Sequence, residues 1–155
     1  MNALLAYINP GDEVLIPAPY WTSYPEMVKL AGGVPKIIPC SQDNRFLLTP
    51  ELLKKYISSK STLLMLNSPN NPSGMCYNAS ELLSLAQLLK KHPNILVLTD
   101  DIYESIQWQK NPFHNIVMVD PSFKARTIII NGLSKSHAMT GWRVGFALGP
   151  THLIK

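Results

Sequence analysis

Residues 62–66, Thr-Leu-Leu-Met-Leu, form an apolar run with no alternation. A strand with one wet face would place a polar side chain at every second position, because neighbouring side chains point to opposite faces. The run therefore predicts a strand buried on both faces, and such a strand needs helices above and below it. Residues 95–98 repeat the pattern, and 126–130 and 144–148 are further strand candidates. Residues 13–16, closed by Pro17 and Pro19, and residues 34–39 supply two more.

Helical segments separate these runs. Thr22 or Ser23 can cap a helix through Met27, Val28 and Ala31, ended by Gly32-Gly33. Thr49-Pro50 opens another, with proline at the first helical position and Leu52, Leu53, Tyr56 and Ile57 on one face. Asn78-Ala79-Ser80-Glu81 fits a capping box, and Leu82, Leu83, Ala86 and Leu89 form the next stripe until His92-Pro93-Asn94 breaks it. Residues 104–123 have weak periodicity and are expected to be irregular. Alternating strands and helices predict an α/β fold, a mostly parallel sheet flanked by helices, with right-handed crossovers. In such a sheet a ligand sits off the carboxyl ends of the strands.

Composition narrows the function classes. The 155 residues suffice for one domain, and 46% hydrophobic against 15% charged residues suits strands covered on both sides. The net charge of +4 is scattered, with Lys54-Lys55 and Lys90-Lys91 near predicted helix ends. No basic stripe interleaved with aromatics is present, which argues against a nucleic-acid partner. No apolar run approaches the ~18 residues of a membrane span. Cys40 and Cys76 lack metal-knuckle spacing, so no metal site is expected, and they read as reduced thiols of a cytoplasmic protein. Residues 1–8 read as the last turns of a helix stopped by Asn9-Pro10-Gly11-Asp12. Residues 150–155 read as the opening of a further element, so the chain is expected to be incomplete at both ends.

The residues with chemical potential cluster after the strand candidates. Lys135 follows residues 126–130 in Asn131-Gly-Leu-Ser-Lys, and Arg143 comes eight positions later in Thr140-Gly-Trp-Arg-Val-Gly. An arginine fork suits phosphate, and an amine near cations or partly out of water can attack a carbonyl. Asp100 is delivered by the run 95–98, and a carboxylate there could keep a ring nitrogen protonated and cationic. Tyr103 reaches the same place if the segment turns helically. Asn71 lies in the turn Asn67-Ser-Pro-Asn-Asn-Pro-Ser-Gly, and Trp21 in Pro19-Tyr-Trp could stack on a flat ring. Each has a bland counterpart: a solvated lysine, a helix-capping aspartate, an ordinary turn, a core tryptophan. Singly, the bland readings win.

In order and together, these residues resemble one family. Asn9-Pro-Gly-Asp-Glu-Val, Pro17-Ala-Pro-Tyr-Trp, Ser23-Tyr-Pro-Glu-Met, Asn67-Ser-Pro-Asn-Asn-Pro-Ser-Gly, Asp100-Asp-Ile-Tyr and Ser134-Lys-Ser-His-Ala-Met-Thr-Gly-Trp-Arg are similar to the class I aminotransferases of pyridoxal-phosphate (PLP) fold type I, nearest their bacterial aspartate aminotransferase-like branch. The resemblance implies a partial large, PLP-binding domain over residues 1–155, with the phosphate loop before it and a small domain after it absent. It implies Lys135 as the Schiff-base lysine and proton shuttle, Asp100 as partner of the pyridine nitrogen, and Asn71 and Tyr103 as donors to the phenolate oxygen. Trp21 would stack on the ring, Ser134 and Arg143 would hold phosphate, and Asn71 with Trp21 would also face substrate. His137 is left with a structural role.

The implied reaction moves an amino group between an L-amino acid, aspartate-like or aromatic, and a 2-oxo acid. The implied full-length form is a homodimer, and the isolated chain is expected to be inactive. Other readings stay open here: an elimination lyase using the same lysine and aspartate, a non-catalytic truncated product, or a binding module.

Overall fold

The computed structural model describes residues 1–108 and 112–154. Six strands form one sheet: β1 (Glu13–Ala18), β2 (Val34–Pro39), β3 (Ser61–Asn67), β4 (Leu96–Asp100), β5 (Thr127–Gly132) and β6 (Gly145–Leu148). Their spatial order is β2-β1-β3-β4-β5-β6. The first five are mutually parallel, and β6 runs antiparallel to β5. Direction cannot be read from an apolar run, so the reversal of β6 was not visible in the sequence. The chain leaves β1 toward β2 and returns to β3 on its other side, which opens a crevice at the carboxyl ends.

Among the described residues seven α-helices flank the sheet: α1 (Asn2–Tyr7), α2 (Ser23–Leu30), α3 (Pro50–Tyr56), α4 (Ala79–Leu89), α5 (Ile116–Val119), α6 (Leu133–Ser136) and α7 (Thr151–Ile154). Two apolar cores result. On one face Leu64, Leu66 and Val97 pack with Leu53 of α3, Leu82, Leu85 and Leu89 of α4, and Phe123. On the other, Leu63, Met65, Leu96 and Leu98 pack with Leu4 of α1 and Tyr24 and Val28 of α2. Neighbours along β3 thus serve opposite cores, which is why the run 62–66 has no polar beat. Each such leucine contributes roughly 1.5–3 kcal/mol by leaving water.

The helix starts follow local chemistry. Thr49 Oγ1 accepts from the Leu52 N–H (3.3 Å), and Pro50 follows at the first helical position. Asn78 and Glu81 exchange two bonds in a full capping box, 2.9 and 2.8 Å. The expected cap of α2 differs. Thr22 stands at the cap position with helical backbone angles and makes no side-chain cap bond. The Trp21 carbonyl accepts from Tyr24 N–H instead (3.0 Å), and Pro25 in the first turn has no N–H to leave unpaired.

Residues 104–123 are not wholly irregular. They contain α5 and the start of a 3-10 stretch (Pro121–Arg126). Four residues are too few for a 3.6-residue period to register. Asn115 starts α5, its side chain accepting from Met118 N–H at 3.0 Å. Arg126 ties this region back to α4. Its guanidinium donates to the carbonyls of Leu89 (2.9 Å), His92 (2.9 Å) and Ile95 (3.2 Å), and stacks 4.3 Å over the Phe123 ring. Among the described residues no helix is long and apolar enough to cross a membrane, no cluster of side chains could hold a metal, and Cys40 and Cys76 are unbridged.

Candidate active site

The register of β3, β4 and β5 sets Asn67 beside Asp100 and Asp100 beside Ile130. A cavity of about 490 Å³ opens off these strand ends. That volume falls in the range of small-molecule sites, roughly 300–1,000 Å³. All seven residues singled out in the sequence line it: Trp21, Asn71, Asp100, Tyr103, Ser134, Lys135 and Arg143. The segments that carry them are far apart in the chain, and the sheet alone gathers them.

Asp100 ends β4. Its Oδ2 accepts from the Tyr24 hydroxyl at 2.6 Å, and its Oδ1 accepts weakly from Ile102 N–H at 3.4 Å. Burial raises this carboxyl above its ordinary value, and the two donors offset only part of that rise. Among the described residues no cation pairs with it. Asn67 stitches the neighbouring turn in place. Its amide donates to the Asp100 carbonyl (2.8 Å) and its Oδ1 accepts from Asn71 N–H (2.8 Å). Asn70 closes the same turn, its Oδ1 accepting from Ser73 and its Nδ2 donating to the Pro19 carbonyl. The Asn71 side chain is left lining the cavity.

Lys135 lies on α6, directly after β5. Its Nζ sits 5.9 Å from the centre of the Tyr103 ring and makes no ion pair among the described residues. Gly132 lets this wall form. A Cβ there would lie 2.9 Å from the Val144 carbonyl, so only glycine lets β6 approach the end of β5. Arg143, just before β6, has a left-handed backbone (φ 55°), which is unusual for a side-chain-bearing residue. Its Nη1 donates to the Thr140 carbonyl at 3.0 Å. Trp21 is 44% exposed at the cavity edge and meets the Tyr24 ring edge-on, 5.6 Å between centres. His137 is not among the lining residues, and its Nδ1 lies 2.8 Å from Ser136 Oγ.

Several lining residues had no role in the sequence reading, among them Asn67 and Tyr24, which touch the predicted groups. Asn67 looked like part of a plain turn. Tyr24 stood only within a quoted motif, yet a buried phenol needs an acceptor, and that requirement was the available signal.

The lining combines two cations, one cation-free carboxylate, an exposed indole face and amide and hydroxyl donors. This set fits PLP: a carboxylate for a protonated ring nitrogen, an amine for an aldehyde, an arginine for phosphate.

The sequence profile described as aminotransferase class I and II matches residues 2–155. The chain belongs to this family. Within it, an aspartate/prephenate aminotransferase of Nitrosomonas europaea is 47% identical over 153 residues, covering 99% of this chain and 38% of that protein. An aspartate aminotransferase of Geobacillus stearothermophilus is 48% identical over 148 residues, 96% of this chain and 37% of its own length. The crystal structure of an aspartate aminotransferase from Rhizobium meliloti superposes with a TM-score of 0.97 at 44% identity, covering 99% of this chain and 38% of that one. The chain therefore spans a little over a third of the length of the family members it matches, and both its fold and its membership of the aminotransferases are plain.

Proposed function

We propose that the complete protein is a PLP-dependent transaminase and that residues 1–155 supply much of the cofactor-binding wall of its large domain. The observation that carries this reading is the cavity off β3–β5, where an amine (Lys135) and a half-buried carboxylate (Asp100), each without an ion-pair partner among the described residues, face the same space. When bound, PLP supplies an aldehyde that joins amines and a protonated ring that draws electrons from the carbon losing its proton.

The chain's own residues have the following roles in this reading. Lys135 Nζ is the nucleophile that anchors the cofactor, and once displaced it takes the substrate Cα proton and returns it. The Asp100 carboxylate accepts from the ring N–H and keeps that nitrogen cationic. Trp21 offers a flat face to the ring. Asn71 and Tyr103 donate to the phenolate oxygen, and Asn71 also meets the substrate carboxylate. Arg143, with Ser134, binds phosphate.

The names of the relatives, aspartate/prephenate and aspartate aminotransferase, support an acidic or aromatic amino acid and a 2-oxo acid as substrates. The family resemblance supports a homodimer, and two unbridged thiols support a cytoplasmic setting. No observation favours elimination chemistry. The test is to incubate the complete protein with PLP, reduce with borohydride and map the peptides. The expected outcome is a pyridoxyl group on Lys135, together with conversion of an amino acid to its 2-oxo acid. Label on another lysine, or a protein that stays colourless, sinks the reading.

A further inference from the structure

We infer that Tyr24 is a positioning residue for two walls of the cavity at once: its hydroxyl keeps the Asp100 carboxylate ionised and aimed, and its ring, set perpendicular to the indole, holds the plane of Trp21. The inference rests on the PLP reading of the site.

Tyr24 sits on α2 and is 5% exposed, packed in the core with Val14, Ile16 and Val28. Its O–H makes the one short hydrogen bond to the Asp100 side chain among the described residues, 2.6 Å across a separation of 76 positions. Among the described residues the other donor is Ile102 N–H at 3.4 Å, at the limit of a bond. A donor fixed in a rigid core holds a carboxylate in one rotamer and stabilises its charged form. Burial and the Asp100 charge both push the Tyr24 phenol above its usual range, so the proton stays on Tyr24 and the bond keeps its direction. The same ring meets Trp21 edge-on, interplanar angle 84°. An edge-to-face contact fixes the angle of the indole that would stack on the cofactor. One side chain thus ties the ring-nitrogen partner to the stacking face. Other charged or titratable groups bear on Asp100: Tyr103 and Asp101 after β4, Lys135 on α6, Arg143 before β6 and the amino terminus before α1. None of them forms a hydrogen bond to its carboxylate.

The test compares Tyr24→Phe and Tyr24→Leu with the wild type in the complete protein. Phenylalanine keeps the ring and removes only the hydroxyl. In the cofactor-free state, ¹³C NMR titration of Asp100 is expected to show its carboxyl titrating at higher pH in Tyr24→Phe. PLP should bind roughly tenfold more weakly, as expected for loss of a hydrogen bond to a charged group. An unchanged Asp100 titration overturns the inference whether or not PLP binds. Failure of the wild type to bind PLP overturns instead the functional reading beneath it. Tyr24→Leu adds loss of the ring edge, so the circular dichroism band of the bound cofactor should fall further than in Tyr24→Phe. Equal bands overturn the Trp21 half. Should Tyr24→Phe fail to fold, the wild type carries the test. The Tyr24 hydroxyl proton should resonate far downfield and shift as Asp100 titrates; an uncoupled proton overturns the inference.

Discussion

The two walls of the cavity are built from opposite materials. Asp100 ends a strand whose four preceding residues are all buried, and its side chain is held by a tyrosine rooted in the core. Lys135 and Arg143 belong to an exposed turn-and-strand segment in which no residue of β6 is buried. One wall is fixed by packing in the core, the other by the backbone ladder of an exposed edge strand, β6, on β5. A group that must stay put while a charge is held against it is served by the first kind of wall. On the proposed reading, a group that must leave and return, Lys135, is served by the second.

This contrast can be broken by separating chemistry from stability. Lys135→Ala should lower turnover of the complete enzyme at least a thousandfold. It should leave the denaturation midpoint nearly unchanged, since the residue is exposed and surface changes cost within about 0.5 kcal/mol. A destabilised Lys135→Ala would show the thin wall to be structural. Leu64→Ala, at a fully buried position behind the rigid wall, should do the reverse. It should cost about 3 kcal/mol in denaturant unfolding, while the protein that remains folded turns over at close to the normal rate.

Asp101 sharpens the contrast, because it is buried behind the same wall. Its carboxylate accepts from Thr99 Oγ1 and from Asn115 Nδ2, and burial nonetheless raises its carboxyl to about 6. The folded value lies above the unfolded one, near 3.9. Between those values the native chain therefore binds more protons than the unfolded chain. Stability from this group is greatest at low pH, falls as pH rises from about 4 to about 6, and stays low above that. The fall should be on the order of 3 kcal/mol, and it should vanish in Asp101→Asn when denaturant curves are compared across that window. The smallest effect is expected on the thin wall. Arg143→Lys keeps the charge but loses the fork, and should weaken PLP binding about tenfold without a change in stability.

Much of this architecture was legible from the chain alone, and the reasons are local. The runs 62–66 and 95–98 announced strands covered on both faces. Thr49-Pro50 and Asn78 to Glu81 marked two helix starts because their side chains satisfy specific backbone N–H groups. The seven residues proposed for the site all line one cavity off the strand ends; singly their signals were weak, and it was their order along the chain, through the family resemblance, that singled them out. Three features were hidden. The four-residue helix α5 is shorter than the period that would reveal it. The antiparallel direction of β6 is a property of its pairing with β5, which an apolar run does not reveal. The role of Tyr24 depends on an acceptor 76 positions away, which only the folded sheet brings beside it.

The reach of Arg126 has a consequence for how this chain tolerates engineering. The connection between α4 and β4 carries exposed Pro93 and Asn94, and surface connections are ordinarily the safe places to insert or to cut. Here one guanidinium clasps carbonyls at 89, 92 and 95 together. Lengthening that loop by a residue, or opening it to make new termini in a circular permutant, would release several acceptors in one stroke.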